Sequence, residues 1–357
     1  MSDIGARKTE HLDIVLRGGV AGAGGCTGLD RVRFEHVAAP ELDLDAIDLS
    51  AAFLGRRLKA PFLISSMTGG PERAEAINLA LAETAGALGI AFGVGSQRIA
   101  LECGASGGLT RSLRQRAGDV PILANLGAAQ IRDASGLALA RAAADMIEAD
   151  ALIIHLNPLQ EAVQAGGDRD WTGVLAAIAR TVAALPVPVI VKEVGCGISG
   201  TMALRLRDCG VAIIDVAGSG GTSWAAVEAE RAVTARGKAL AGAFRDWGIP
   251  TADAILAVRA AYPAATVIAS GGLKSGIDAA RALRLGADLA GFAAGILPSA
   301  IAGTDSLIAR FETLIEELRV VCFCTGSGDL AALKSARLIG DGAPCVSTAP
   351  PGLSLRR

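Results

Sequence analysis

The sequence predicts an α/β fold of the (β/α)8 type, a TIM barrel, from two observations. Short apolar runs of β type recur along the chain, and each is followed by a polar or glycine-rich turn and then by a stretch with helical spacing of Ala, Leu and Ile. Strands that alternate with helices form right-handed βαβ units around a parallel sheet, and enough such units close a barrel. A doubly wound sheet is the alternative, but it usually has fewer repeats and one dominant dinucleotide fingerprint.

Each predicted strand is an apolar run that ends at a turn. The strands are residues 61–65, 90–94, 121–125, 151–155, 187–193, 212–216, 265–270 and 289–293. Residues 72–88 and 134–148 have helical spacing, and a helix near 299–320 is expected to close the barrel.

The barrel is predicted to occupy residues 61–340, preceded by an N-terminal extension (1–60) that packs on the barrel and the active site. The tail from 341 to 357 contains several prolines and is expected to be loose. A long insertion of about forty residues follows the sixth barrel strand and ends at 245–251, and we expect it to form a mobile lid because long irregular stretches in compact domains are usually lids or binding loops. No role is assigned to the glycine-rich stretch 18–30.

Composition excludes several classes of protein. The net charge is −2 and basic runs are absent, which argues against nucleic-acid binding. The start of the chain has no apolar signal region, and no window approaches the length of a membrane span. The seven cysteines lack metal-type spacing, which is typical of reduced thiols in the cytoplasm.

The segment HLNPLQE (155–161) is the most informative part of the chain. An apolar run ends there in His155, Asn157, Gln160 and Glu161, and α/β enzymes keep their chemistry at the carboxyl ends of strands. Other polar turns follow the neighbouring strands, and a barrel would bring all of them to one mouth. Of the three histidines, only His155 is expected at that mouth, because His11 belongs to a basic trio with Arg7 and Lys8 that resembles a solvated tail.

Three features suggest an anionic ligand. Glycine-rich turns follow the last three strands at 218–224, 270–276 and 291–295, and backbone amides in such turns bind phosphate. Lys192 ends an apolar strand and needs an anionic or electron-rich partner. From the residues alone it is either a Schiff-base lysine of an aldolase or a cation that stabilises a reduced flavin. Arg98 is placed to meet a diphosphate through its guanidinium fork.

Trp171 and Trp224, which begin helices, are expected to pack in the core.

The motifs together resemble the type 2, FMN-dependent isopentenyl-diphosphate isomerases. The matching segments run in order over residues 7–340 and include RKTEHLDIVL, SSMTGG, GVGSQR, NLGAAQ, HLNPLQE, VKEVGCGIS, DVAGSGGTSW, WGIPT and ASGGLKSG. The resemblance implies interconversion of isopentenyl and dimethylallyl diphosphate with reduced FMN as acid–base cofactor, Mg²⁺ on the diphosphate, NAD(P)H as reductant, and a homo-oligomer of four or eight subunits.

The resemblance also assigns site residues. FMN would be held by Ser66, Met67, Thr68, Ser96, Asn125, Lys192, Thr222, Gly272, Leu273, Lys274, Ala293 and Ala294. Substrate would meet Arg7, Lys8, Ser96, Gln97, Arg98, His155, Asn157 and Gln160. Gln160 and Lys192 would be catalytic, and Glu161 would ligate Mg²⁺.

The chain departs from the family at two phosphate-site positions. The family often has Arg in place of Lys274, and an Ala-Arg-Pro sequence in place of residues 293–295. The grip on the flavin phosphate is therefore expected to rely more on backbone amides. Two other functions stay open: an FMN barrel oxidoreductase with net redox turnover, and a phosphate-binding barrel without activity.

Overall fold

The computed structural model describes residues 4–20, 26–67, 74–104 and 106–340. A closed barrel of parallel strands forms its centre, and the eight predicted strands are confirmed. The barrel strands are β3 (Phe62–Ile64), β4 (Ala91–Gly93), β5 (Ile122–Gly127), β6 (Ala151–Leu156), β7 (Val189–Glu193), β8 (Ile213–Asp215), β9 (Thr266–Ala269) and β10 (Leu289–Phe292). Each strand pairs with its neighbour in sequence, and β10 pairs with β3 to close the ring.

Helices surround the barrel, as the spacing of apolar residues predicts. They are α1 (Ile4–Arg17), α2 (Ala74–Leu88), α3 (Arg98–Cys103), α4 (Ser112–Ala117), α5 (Gly136–Met146), α6 (Pro158–Val163), α7 (Val174–Ala184), α8 (Gly200–Asp208), α9 (Trp224–Arg231), α10 (Ala235–Ala243), α11 (Thr251–Ala261), α12 (Gly276–Arg284), α13 (Leu297–Ala302), α14 (Thr304–Cys324) and α15 (Leu330–Lys334). None of the helices in the described residues is long and apolar enough to cross a membrane.

The barrel interior is filled in layers because side chains alternate between the two faces of a strand. The inner apolar cluster takes one residue or more from each barrel strand, including Leu63, Ala91, Leu123, Ile153, Ile190, Ile213, Ile268 and Leu289. Two residues further along each strand, alternation points the next side chains inward at the carboxyl end. These positions are Ser65, Gly93, Asn125, His155, Lys192, Asp215, Ser270 and Gly291. The apolar core therefore ends beneath a ring of polar and glycine residues.

An antiparallel hairpin closes the opposite end of the barrel. Its strands are β1 (Ala51–Phe53) and β2 (Arg56–Leu58). The buried side chains of Phe53 and Leu58 belong to the inner apolar cluster. The hairpin therefore caps the barrel at the amino ends of its strands, away from the polar ring.

Two expectations about irregular segments are wrong. The region of the basic trio is a helix, α1, and not a solvated tail: its Leu12 and Ile14 are buried, and Ile14 packs with Val227 of α9. The insertion after β8 contains two helices, α9 and α10, and is therefore not irregular. An amphipathic segment becomes helical when a neighbouring surface covers its apolar face, which local charge alone does not reveal. The predicted loose tail from 341 lies outside the described residues.

Candidate active site

A cavity of about 680 Å³ opens at the carboxyl ends of the barrel strands. Its walls come from the loops after the strands, and α1 contributes Leu12 and Val15 from above. The predicted site residues that line it are Ser66, Met67, Ser96, Arg98, Asn125, His155, Asn157, Gln160, Glu161, Lys192, Thr222, Gly272, Leu273, Lys274, Ala293 and Ala294. The structure thus brings together side chains that are as far apart in sequence as Ser66 and Ala294.

Lys192 forms the charged centre of the cavity floor. Its ammonium donates to the Glu193 carbonyl oxygen at 2.9 Å and to Ser270 Oγ at 3.3 Å, and it lies 3.4 Å from Asp215 Oδ2. Ser270 Oγ donates in turn to Asp215 Oδ1 at 2.6 Å. Strand pairing sets this arrangement, since Lys192 and Asp215 are register partners on β7 and β8. These contacts fix the direction in which the Lys192 ammonium points.

His155 is oriented by a chain of hydrogen bonds from inside the barrel wall. Its Nδ1 lies 2.8 Å from Asn125 Oδ1, and the Asn125 amide nitrogen donates to the Val94 carbonyl oxygen. Because the Asn125 oxygen is the acceptor, the Nδ1 of His155 carries the proton. The Nε2 edge of the imidazole is thereby the one turned away from Asn125.

Gln97 belongs to this supporting chain and not to the cavity wall, which corrects its assignment as a substrate contact. Its side chain is fully buried, donates to the Ala143 carbonyl oxygen at 2.9 Å and accepts from the Asn125 backbone N–H at 2.8 Å. The next residue, Arg98, does line the cavity. Gln97 and Arg98 are neighbours at the start of α3, but their side chains point in different directions. The sequence motif does not show which of the two points into the cavity.

The HLNPLQE segment places its polar groups at the first turn of α6. The Asn157 amide donates both to Gln160 Oε1 at 3.1 Å and to Glu161 Oε1 at 3.0 Å. The other Glu161 oxygen accepts from Gln164 Nε2 at 2.6 Å and from the Asp168 backbone N–H at 2.8 Å. Asn157 therefore orients its two neighbours, and the Glu161 carboxylate is held rigidly at the cavity wall.

A second imidazole reaches the cavity, which the sequence did not predict. His11 Nε2 lies 3.0 Å from Glu228 Oε1, and the same oxygen accepts from Gln160 Nε2 at 3.1 Å. Arg231 donates to the other Glu228 oxygen at 2.7 Å. Burial acts to raise the pKa of Glu228, but contacts with His11, Gln160 and Arg231 outweigh burial, and the pKa lies below its usual range. The Gln160 amide is thus held at both ends.

Trp224 also lies at the cavity and not simply in the core. It stands edge-on to the His11 ring, with ring centroids 5.2 Å apart, and it lines the cavity beside Thr222. Together with Leu12, Val15 and Val20, it gives the covering wall an apolar surface. Such a wall keeps water away from reacting carbon atoms.

Arg98 lines the cavity and pairs with carboxylates at the outer edge of the HLNPLQE wall. Its guanidinium contacts Asp168 Oδ2 at 3.3 Å and Glu102 Oε1 at 3.1 Å. Asp168 also accepts from Gln130, whose side chain lines the cavity but was not predicted. Both carboxylate partners are partly exposed, so Arg98 can exchange them for a ligand at small cost.

The turn after β7 is fixed by the side chain of Glu193. One of its carboxylate oxygens accepts the backbone N–H groups of Val194 at 2.6 Å and Gly195 at 2.7 Å, and also that of Cys196. Burial raises the pKa of Glu193 to about 7 despite these hydrogen bonds and the nearby charge of Lys192. Val194 and Gly195 line the cavity, so the buried Glu193 carboxyl group positions part of its wall, in agreement with the structural role expected for Glu193.

The glycine turns after β8 and β9 pack against each other backbone to backbone. A Cβ at Gly272 would lie 2.7 Å from the Gly220 backbone, and its φ of +80° favours glycine. A Cβ at Gly221 would lie 2.6 Å from the Gly272 nitrogen. The two turns therefore form one rigid wall with no side chains between them.

The residues at the floor fit a flat, hydrogen-bonding cofactor such as a flavin. The hydroxyl groups of Ser65 and Ser66 are buried without a hydrogen-bond partner among the described residues, and both residues line the cavity. Gly93 and Gly291 stand on the same ring, where a Cβ would lie 3.1 Å and 3.2 Å from those hydroxyl oxygens. Buried polar atoms normally have partners, so these hydroxyls suggest a ligand. Thr68, also assigned to FMN, lies outside the described residues.

The structure describes the residue assigned to the metal, Glu161, and the backbone of two residues assigned to the substrate, Arg7 and Lys8. No group of three or more His, Cys, Asp or Glu that could hold a metal occurs in the described part of the chain. Glu161 presents one carboxylate at the cavity wall, which is the kind of group that could join a Mg²⁺ shared with substrate phosphates. Arg7 and Lys8 lie on α1 above the cavity region, but their side chains lie outside the described part.

This chain is similar to known proteins over most of its length. Residues 122–339 match the family FMN-dependent dehydrogenase. An isopentenyl-diphosphate delta-isomerase of Xanthobacter autotrophicus is 60% identical over 94% of this chain and 98% of its own length. One of Stutzerimonas stutzeri is 61% identical over 94% and 96%. Solved mandelate oxidase, 20% identical with a TM-score of 0.64 over 93% of this chain and 94% of its own, shares the fold. The chain belongs to the FMN-dependent isopentenyl-diphosphate delta-isomerase family.

Proposed function

We propose that the protein interconverts isopentenyl diphosphate and dimethylallyl diphosphate, with reduced FMN in the barrel mouth and Mg²⁺ on the diphosphate. The observation that supports this most is that one cavity unites a lysine floor with unpartnered hydroxyls, glycine-rich turns, and the Gln160–Glu161 wall. The isomerase name of relatives at about 60% identity supports the reaction type.

The chain's own residues would hold FMN at the floor. Ser65 and Ser66 would offer hydroxyls, and Lys192 would offer a positive charge that stabilises an anionic reduced flavin. Reduced FMN, when bound, would supply the acid–base chemistry of the reaction. We propose NAD(P)H as the source of the electrons, which the reaction does not consume in net terms.

The diphosphate would bind at the wall formed by the start of α6 and by Arg98. Glu161 offers Mg²⁺ a carboxylate that Asn157, Gln164 and Asp168 hold in place. The Arg98 guanidinium would supply donors for phosphate oxygens, with Arg7 and Lys8 expected from α1. His155, whose ring is oriented by Asn125, would also meet the substrate. Positive groups on several elements would neutralise the charge that a single Mg²⁺ leaves.

Gln160 would place a proton at the allylic carbon atoms. Its amide is fixed between Asn157 and Glu228, so its orientation does not depend on the substrate. The apolar wall of Leu12, Val15 and Trp224 would exclude water during the transfer. A fixed proton relay in a dry site is what a double-bond shift requires.

The experiment that tests this function begins with the full-length protein reconstituted with FMN. Under anaerobic conditions with reductant and Mg²⁺, isopentenyl diphosphate should convert to dimethylallyl diphosphate, measured by product analysis. Omitting FMN should abolish conversion. Flavin-loaded protein that leaves isopentenyl diphosphate unchanged under these conditions would reject the proposal.

A second candidate is an FMN barrel oxidoreductase with net redox turnover, which the match to the FMN-dependent dehydrogenase family supports. Enzymes of this kind that act on 2-hydroxy acids need a histidine as general base late in the barrel. Here β9 is followed instead by Ser270, Gly271 and Gly272.

We propose further that the protein is a cytoplasmic homo-oligomer of four or eight subunits.

A further inference from the structure

The end of the cavity opposite the HLNPLQE wall contains a cation that no motif indicated. The turns after β9 and β10 line this end through residues 271–274 and 293–295, and Arg310 of α14 lines it with them. Phosphate groups in barrels commonly bind at the loops after the last two strands. Arg310 reaches this place from a helix that follows the last strand, so the sequence of the turns gives no sign of it.

Three backbone amides at and just after the turn that follows β9 are already engaged. The Lys274 N–H donates to Asp278 Oδ2 at 3.1 Å, the Gly276 N–H to Glu317 Oε2 at 2.5 Å, and the Asp278 N–H to Ser275 Oγ at 3.1 Å. The start of α12 is therefore capped by the protein's own side chains. A doubly charged phosphate at this end needs a cation in addition to the remaining amides.

Two other cations that line the cavity have carboxylate partners away from this end. Lys192 is beside Asp215 on the floor, and Arg98 is paired with Asp168 and Glu102. Lys274 lies on the turn after β9 itself, and its side chain is exposed. Arg310 donates to the Lys274 carbonyl oxygen at 2.6 Å, and among the described residues no carboxylate forms an ion pair with it. This single hydrogen bond points the guanidinium at the turn after β9 and leaves other N–H groups for an anion.

The helix that carries Arg310 is a rigid support. Its neighbours Leu307, Phe311 and Leu314 are fully buried in the main core, and α14 packs against α2 and α12. The side chain is half-buried at the cavity edge and starts from a fixed backbone. A guanidinium held this way suits recognition of a phosphate by two parallel hydrogen bonds.

We propose that Arg310 binds the 5′-phosphate of FMN and makes the site select phosphorylated flavin over riboflavin. The proposal rests on the proposed function only for the presence of FMN. Lys274, on the same turn, would share the phosphate charge from the solvent side. Arg310 is then a cofactor-selecting residue supplied from outside the strand-end loops.

The test compares binding of FMN and riboflavin to the full-length protein stripped of flavin, followed by flavin fluorescence. In Arg310→Met the dissociation constant for FMN should rise at least tenfold, while that for riboflavin stays within twofold, because riboflavin lacks the phosphate. Arg310→Lys should recover part of the loss. Arg319→Met is the matched control: Arg319 lies on the same helix but contacts Glu316 and the Ile47 carbonyl oxygen, so neither flavin should bind differently.

Equal weakening of FMN and riboflavin in Arg310→Met would assign Arg310 a role in folding and overturn the proposal. Unchanged FMN binding would overturn it as well. The experiments distinguish a failure of this inference from a failure of the proposed function. Wild-type protein that prefers FMN but does not isomerise isopentenyl diphosphate would reject the function alone, and an active isomerase whose Arg310→Met variant keeps its flavin selectivity would reject only this inference.

Discussion

The pH dependence of stability should carry the signature of the buried carboxyl group of Glu193. Its pKa is raised by burial from 4.5 to about 7 in the folded protein. A raised pKa means that the folded state binds the proton more tightly than the unfolded state. The stabilisation is therefore complete below pH 4.5 and is lost as the pH rises through 7. The difference of about 2.5 pK units corresponds to about 3 kcal/mol.

The assay is urea unfolding followed by circular dichroism between pH 5 and 8. The free energy of unfolding of Glu193→Gln relative to wild type should change by about 2 to 3 kcal/mol over this range, since the amide does not titrate. Asp150→Asn is a control with the opposite sign, because hydrogen bonds and Arg114 outweigh burial and lower the pKa of Asp150. The difference in the free energy of unfolding between Asp150→Asn and wild type should therefore stay constant between pH 5 and 8. A constant difference for Glu193→Gln would refute the assignment of a raised pKa to Glu193.

Three further predictions concern single side chains. Gln160→Ala should keep FMN bound but lower kcat at least a hundredfold, because the amide between Asn157 and Glu228 is lost; normal turnover would remove Gln160 from the mechanism. Glu161→Gln should raise the Mg²⁺ concentration for half-maximal activity at least tenfold, and an unchanged titration would reject the ligand role. In the native protein, iodoacetamide at pH 8 should label the exposed Cys26 but spare Cys196. Burial and the nearby Glu193 raise the pKa of the Cys196 thiol to about 12, so little reactive thiolate forms there. Mass spectrometry of the peptides would show which cysteine is labelled.

The barrel was predictable because each strand is a short apolar run closed by a polar or glycine turn. Parallel strands then bring their carboxyl ends together, so most predicted site residues line one cavity without any knowledge of long-range contacts. HLNPLQE shows this most clearly, since the register of β6 and β7 places His155 beside Lys192. Periodicity and topology were sufficient for strand-end positions such as His155 and Lys192, whereas the family resemblance supplied the roles of the other predicted site residues.

The errors and omissions share a different origin. His11 contacts Glu228 across 217 residues, and Arg310 reaches the cavity from a helix after the last strand. Neither contact leaves a local pattern in the sequence. Gln97 was misplaced because the direction of a side chain at a strand-to-helix turn depends on the backbone geometry of that turn. Contacts that depend on how distant elements dock require the packed structure.

The stoichiometry of reductant and product tests the central claim most directly. FMN-loaded protein, isopentenyl diphosphate, Mg²⁺ and a limiting amount of NADPH should be incubated anaerobically, and dimethylallyl diphosphate and NADP⁺ measured together. The proposed isomerase should form many molecules of product for each NADPH oxidised, because the double bond moves without net redox change. One NADPH consumed for every substrate molecule converted would contradict the account and identify a net oxidoreductase.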